Sequence, residues 1–135
     1  MKNKKVIAIS IADARELKNL IRLGSDSVTN VPAGIWKEIA IEVPADLEIS
    51  SKFDDKIVIF TAKLVFRELC RQHYPQMAAY KVKLADNSEL LIGANERPYP
   101  VITESQNLSS GNSNSQLREL TVTYSDNKNI PYIRI

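Results

Sequence analysis

The sequence predicts an α+β domain made mainly of antiparallel strands, a sandwich or partly open barrel carrying one N-terminal helix. Three observations carry that expectation. Several short runs alternate apolar and polar residues between turn-forming clusters. One stretch alone repeats apolar residues at helical spacing. A chain of 135 residues with 44% hydrophobic side chains suits a single domain, residues 1–135, around one core.

Residues 6–11, Val-Ile-Ala-Ile-Ser-Ile, are a β-branched run expected as the first strand. Ala14, Leu17, Leu20 and Ile21 then fall three and four apart, which is the face of a helix. Asp13 can cap its first turn, Glu16 can reach back as in a capping box, and Gly24 supplies a left-handed stop. Residues 24–34, small and polar with Pro32, read as a loop. Residues 36–43 place Ile39, Ile41 and Val43 on one face and Glu38, Ala40 and Glu42 on the other, and Pro44 closes the run. Asp46, Glu48, Asp54 and Asp55 fall in what is expected as an acid-rich connection. Residues 57–66 begin apolar on both faces, the mark of a central strand, and their continuation to residue 72 fits helix as well as strand.

Tyr80, Val82 and Leu84 alternate with Lys81 and Lys83, Asp86-Asn87 turns the chain, and residues 89–92 return, which predicts a hairpin ended by Gly93. A last pair is expected between Leu120, Val122 and Tyr124 and the C-terminal residues Ile130, Tyr132, Ile133 and Ile135. Pro131 removes a ladder donor and places that C-terminal strand at a sheet edge. Residues 105–116 hold one apolar residue and no charge, so a mobile polar loop is expected there. Arg97-Pro98-Tyr99-Pro100 is expected to be extended and stiff.

A net charge of +2 excludes the strong field of a dedicated nucleic-acid or polyanion binder. The charge is uneven: residues 1–37 are net +4, residues 38–70 net −3 and residues 71–135 net +1. Complementary patches of that kind can pair head to tail between copies. Cys70 is the one cysteine, so neither an intramolecular disulfide nor a cysteine zinc cluster is available, and an intracellular, reducing compartment is expected. Residues 1–12 have the outline of a secretory leader, but the apolar run is short, holds Ser10 and meets Asp13 where cleavage would fall. No run approaches the roughly 18 apolar residues of a membrane-spanning helix.

Chemistry is poorly announced. Cys70 and His73 could share one side of a helical turn, yet no orienting third group or oxyanion motif accompanies them, and Cys70 is expected as a small buried hydrophobe. The acids at 46, 48, 54 and 55 lack the spacing of a calcium loop, and glycines at 24, 34, 93 and 111 make no phosphate cradle. The expectation is therefore a non-enzyme with no cofactor and no metal. Two binding readings stand beside it. Lys2, Lys4, Lys5, Lys81 and Lys83 with Tyr80 could meet phosphates and stack a base, although Asp86 and Glu89 dilute the field. Trp36, Tyr80 and Tyr99 could instead hold a peptide or glycan.

Residues 83–93, Lys-Leu-Ala-Asp-Asn-Ser-Glu-Leu-Leu-Ile-Gly, running into Arg97-Pro98-Tyr99-Pro100, resemble segments of small virion proteins encoded by tailed phages and prophages. The resemblance implies a subunit of the head–tail connector or tail-assembly apparatus, made in the host cytoplasm and carried in the virion, whose copies form a ring. No catalytic residue follows from it. In physical terms, a ring needs a heterologous interface, and an exposed strand edge can supply one by continuing the sheet between chains. Ile130, Tyr132, Ile133 and Ile135 of the C-terminal strand are the candidate edge. Tyr99 and the loop residues Asn107, Leu108 and Asn112 are a candidate second contact. The partners expected are other protein subunits, further copies of the chain included, and no membrane.

Overall fold

A computed structural model of the chain describes residues 2–24, 27–70, 73–94, 97–105 and 118–134. Among the described residues the regular structure is almost wholly β, in one mixed sheet. Its strands are β1 (Lys2–Asp13), β2 (Ile21–Leu23), β3 (Ser27–Thr29), β4 (Lys37–Ile39), β5 (Ala45–Asp54), β6 (Ile57–Glu68), β7 (Ala78–Leu84), β8 (Glu89–Ile92), β9 (Val101–Ser105), β10 (Arg118–Asp126) and β11 (Tyr132–Ile133). They lie in the order β2-β3-β11-β8-β7-β1-β5-β6-β10-β9, with β4 on β1. Every pairing is antiparallel except that of β11 with β3. Among the described residues no helix is long and apolar enough to cross a membrane.

The expected α+β class with an N-terminal helix is overturned. Ala14–Glu16 is a single 3-10 turn, followed by extended chain and then β2. Asp13 does cap it, accepting from the Arg15 amide at 2.9 Å, and the Arg15 contacts hold its carboxyl down at about 2. The helical spacing fails for a local reason. Four apolar residues span barely two turns, too few to sustain a helix without packing on all of them. Ala14 and Leu17 are buried, but Ile21 is exposed, and Asn19 takes a left-handed φ of 64° that a helix cannot accommodate. Gly24 is left-handed as expected, but it follows β2 rather than a helix.

β1 is the centre of the sheet. Its first half pairs with β5 and its second half with β4, while β7 runs along the other side. β4 and β5 are two parts of one path between β1 and β6. Residues 40–44 bulge between them, Ile41 bridges Glu68, and the Glu42 amide donates to Arg67 at 2.8 Å. Ala45–Asp54, expected as connection, is thus a strand, with Ala45 and Leu47 buried and Asp46 and Glu48 on the opposite face. The N-terminal lysines and the central acids meet here within one chain, since Lys5 pairs with Asp46 at 2.7 Å.

The expected β7–β8 hairpin is present, with Tyr80 opposite Ile92 and Lys83 opposite Glu89, and Asn87 supplies the left-handed turn residue at φ 72°. The expected β10–β11 pair is not. β10 pairs with β6 and β9, and β11 crosses to lie between β8 and β3. The C-terminal strand is therefore internal to the sheet rather than an edge. β10 and β11 are six inter-strand steps apart along the sheet. That is about 29 Å if the sheet were flat. Residues 127–131 and their flanking bonds reach only about 21 Å. The sheet must therefore curl until its two halves face one another.

Curling encloses the main core on the inner face, where Val6, Ile9, Leu47, Leu64, Tyr80 and Ile92 are fully buried. On the outer face of β7 and β8 a second cluster forms as the chain from 14 to 36 folds back, so that Leu17 and Val28 cover Ala79 and Leu91. Gly93 closes this region at φ 108°, and a Cβ there would lie 3.1 Å from the Pro100 ring and 3.3 Å from Ala79. Gly93→Ala should lower the unfolding free energy by about 1–3 kcal/mol in a urea titration. An unchanged midpoint would show that this close approach is not made.

Candidate functional site

The sequence-nominated residues do not gather. Ile130 is buried in the main core, Ile133 packs into the outer cluster, and Tyr132, about a third exposed, pairs with Ser27 and Leu90. With hydrogen-bonded neighbours on both sides, this strand offers no edge to a second chain. Tyr99 is half-buried between the outer cluster and a surface cleft. Asn107, Leu108, Asn112 and Ile135, with nearly all of the expected 105–116 loop, lie outside the described residues.

The other chemistries are dispersed as well. Cys70 is exposed rather than buried, and so is His73. Among the described residues no three metal-ligating side chains converge. Tyr80 is wholly buried, which raises its hydroxyl above the ordinary tyrosine value and removes it from any base-stacking role. Lys81 lies 5.2 Å from the centroid of the Trp36 ring, and the Trp36 indole donates to the Pro32 carbonyl at 2.7 Å. Trp36 and Tyr99 open on different clefts, so the three expected recognition aromatics form no common platform.

What the structure brings forward instead is the end of the β5–β6 hairpin. β1 pairs with β5 only from Ala45 to Ile49, and β10 reaches along β6 only to Phe60. Among the described residues no strand flanks residues 50–54 on one side or 57–59 on the other. The hairpin projects, held by its own pairs Lys52–Ile59, Phe53–Val58 and Asp54–Ile57. Side chains alternate strictly along both strands, so Phe53 and Val58 continue the inner row that begins with Leu47 and Leu64. Leu47 and Leu64 are fully buried, whereas Phe53 is 71% exposed, Ile57 52% and Val58 39%. At the base of the hairpin, Ile49 and Ser51 share a shallow opening of about 390 Å³ with Leu90, Ile130 and Tyr132.

At the far end of β6 a different surface is assembled. Glu68, on the inner row, is buried and accepts from the Tyr74 hydroxyl and from Arg118 Nε. Arg118 also lies 5.7 Å from the centroid of the Tyr74 ring and 3.7 Å from Glu104. The Glu68 hydrogen bond raises the guanidinium above its ordinary value. This closed, charge-assisted cluster fixes Tyr74, whose ring also meets Phe66 edge-on at 6.5 Å. Tyr74 in turn lines a cleft of about 710 Å³ with Pro98, Tyr99, Pro100, Val101 and Ile102. The cleft adjoins β9, the last strand of the sheet among the described residues, where Val101 is 60% exposed.

No family model, no curated protein and no solved structure matches this chain. The hairpin end has one signal in the sequence, the two-faced apolar start of residues 57–66, a pattern that a buried central strand shares. Replacing Phe53 by Ser should change stability by no more than about 0.5 kcal/mol. Leu64→Ala, by contrast, should cost about 2–5 kcal/mol. Equal losses in paired urea titrations would mean that Phe53 is packed by its own chain.

Proposed function

We propose that this chain is a non-enzymatic structural subunit that acts by docking on other protein subunits through the β5–β6 hairpin end. The observation that carries this reading is the projection of Phe53 and Val58 on one face, and Ile57 on the other, from a hairpin whose outer edges no strand among the described residues flanks. Large apolar side chains grouped in solvent mark contact surfaces, because their burial against a partner supplies the driving force of association. Unpaired strand edges add main-chain donors and acceptors that a partner can complete.

The specific form proposed is a head–tail connector or tail-assembly subunit of a tailed phage or prophage. That class is supported by the resemblance of residues 83–93 and 97–100, which fold as the β7–β8 hairpin and the wall of the aromatic cleft. In this reading the hairpin end is the assembly element, since the C-terminal strand has neighbours on both sides.

A photo-activated cross-linking side chain placed at Phe53 or Ile57, in the cell that naturally makes the protein, tests the reading. It should give discrete protein adducts from both positions and none from the same group at exposed Glu42. Adducts no more frequent at the hairpin than at Glu42 would overturn it.

A further inference from the structure

We infer that the partner of the hairpin end is a second copy of this chain, whose aromatic cleft receives it, so that copies join head to tail. The inference rests on the docking role proposed above and names its occupant. The two surfaces lie toward opposite ends of β6. Val58 is near its start, and Glu68, which holds Tyr74 at the cleft, is its last residue. At about 3.3 Å per residue the separation is roughly 30 Å, so a chain cannot fill its own cleft with its own hairpin.

The surfaces suit one another chemically. The cleft, at about 710 Å³, is walled by Tyr74, Tyr99, Pro100 and Val101. That volume falls in the range of roughly 300–1,000 Å³ that accommodates a compact apolar ligand, enough for Phe53 together with Val58. Aromatic and proline walls around a phenyl ring form the kind of desolvated pocket that concentrates binding energy. Both surfaces carry charge of both signs at their margins. The hairpin turn presents exposed Asp55 between Lys52 and Lys56, and the cleft is lined by Arg97 with Glu104 close by on β9. Asp55 facing Arg97 and a hairpin lysine facing Glu104 would fix the register without supplying most of the affinity. A contact between two different patches of one chain is heterologous, and repeated copies then close into a ring or extend as a stack.

Mixing two complementary variants tests this directly, under reducing conditions because Cys70 is exposed. Phe53→Asp spoils the hairpin and leaves the cleft, while Val101→Asp spoils the cleft and leaves the hairpin. Both positions are largely exposed, and Val58→Lys, on the same face as Phe53 and itself exposed, is a second hairpin variant should Phe53→Asp fold poorly. By light scattering, wild-type mass should rise with concentration to a defined oligomer or an open series. Each variant alone should self-associate at least about tenfold more weakly. Their equimolar mixture should form one-to-one heterodimers and nothing larger, since only one intact interface remains. A Val101→Asp protein that still self-associates, or a mixture that stays monomeric while the wild type assembles, would overturn the inference. A wild type that stays monomeric beyond about 1 mM would overturn it too. If the hairpin cross-links in cells to a different protein while the purified chain stays monomeric, the docking role stands and the second copy is excluded.

Discussion

The short crossing from β10 to β11 is the constraint on which the rest of the structure depends. Five residues carry the chain between strands that lie six steps apart along the sheet. The span is too short for a flat sheet, so the sheet curls and its inner faces meet. The main core exists because of that closure. Ile130, buried on the crossing itself, and Leu90 and Ile92 of β8 share one cluster with Leu64 of β6 and Leu120 of β10. The crossing is held from both sides, by the Leu91 amide on the Pro131 carbonyl at 3.0 Å and the Arg134 amide on the Val28 carbonyl at 2.8 Å. Pro131 costs a ladder donor, yet its carbonyl is the acceptor that ties the crossing to β8.

Curling also decides what is left outside. β5 and β6 are longer than their neighbours can cover, so the inner apolar row runs past the core into solvent at Phe53 and Val58. At the opposite end, the buried Glu68–Arg118 pair holds Tyr74 against the 97–102 segment and forms an aromatic cleft beside the terminal strand β9. One end of the molecule thus offers an apolar projection and the other an apolar recess. Among the described residues nothing comparable organises Cys70 and His73, and Asp46 and Glu48, though side by side on one face of β5, belong to no cluster of three metal-ligating groups.

Much of the strand content was legible in the sequence, because alternation over residues 80–92 and 120–124 reflects burial on one face. The β7–β8 hairpin was legible from its turn, where Asn87 adopts the positive φ that asparagine tolerates. The helix was misread because Ala14 and Leu17 satisfy helical spacing while serving the outer cluster from a single turn and an extended segment. β5 was hidden by Asp46 and Glu48, whose acidity suggested a loop although they alternate with Ala45, Leu47 and Ile49. The pairing of β11 was beyond reach for a different reason. A hairpin-like turn at 125–129 implies local pairing, and only the three-dimensional closure shows the chain crossing the mouth of the sheet instead. The two-faced apolar run at 57–59 was visible but ambiguous, since a buried central strand and an interface share that pattern.

Residue-resolved amide hydrogen exchange, in dilute and in concentrated protein, tests most directly whether closure at β11 leaves the hairpin end free to dock. Leu91 and Arg134 should exchange slowly in both samples. The outward-facing amides of residues 51–53 and 57–59 should exchange fast in the dilute sample and more slowly in the concentrated one. Fast exchange at Leu91 and Arg134, or hairpin amides already protected in the dilute monomer, would contradict that reading.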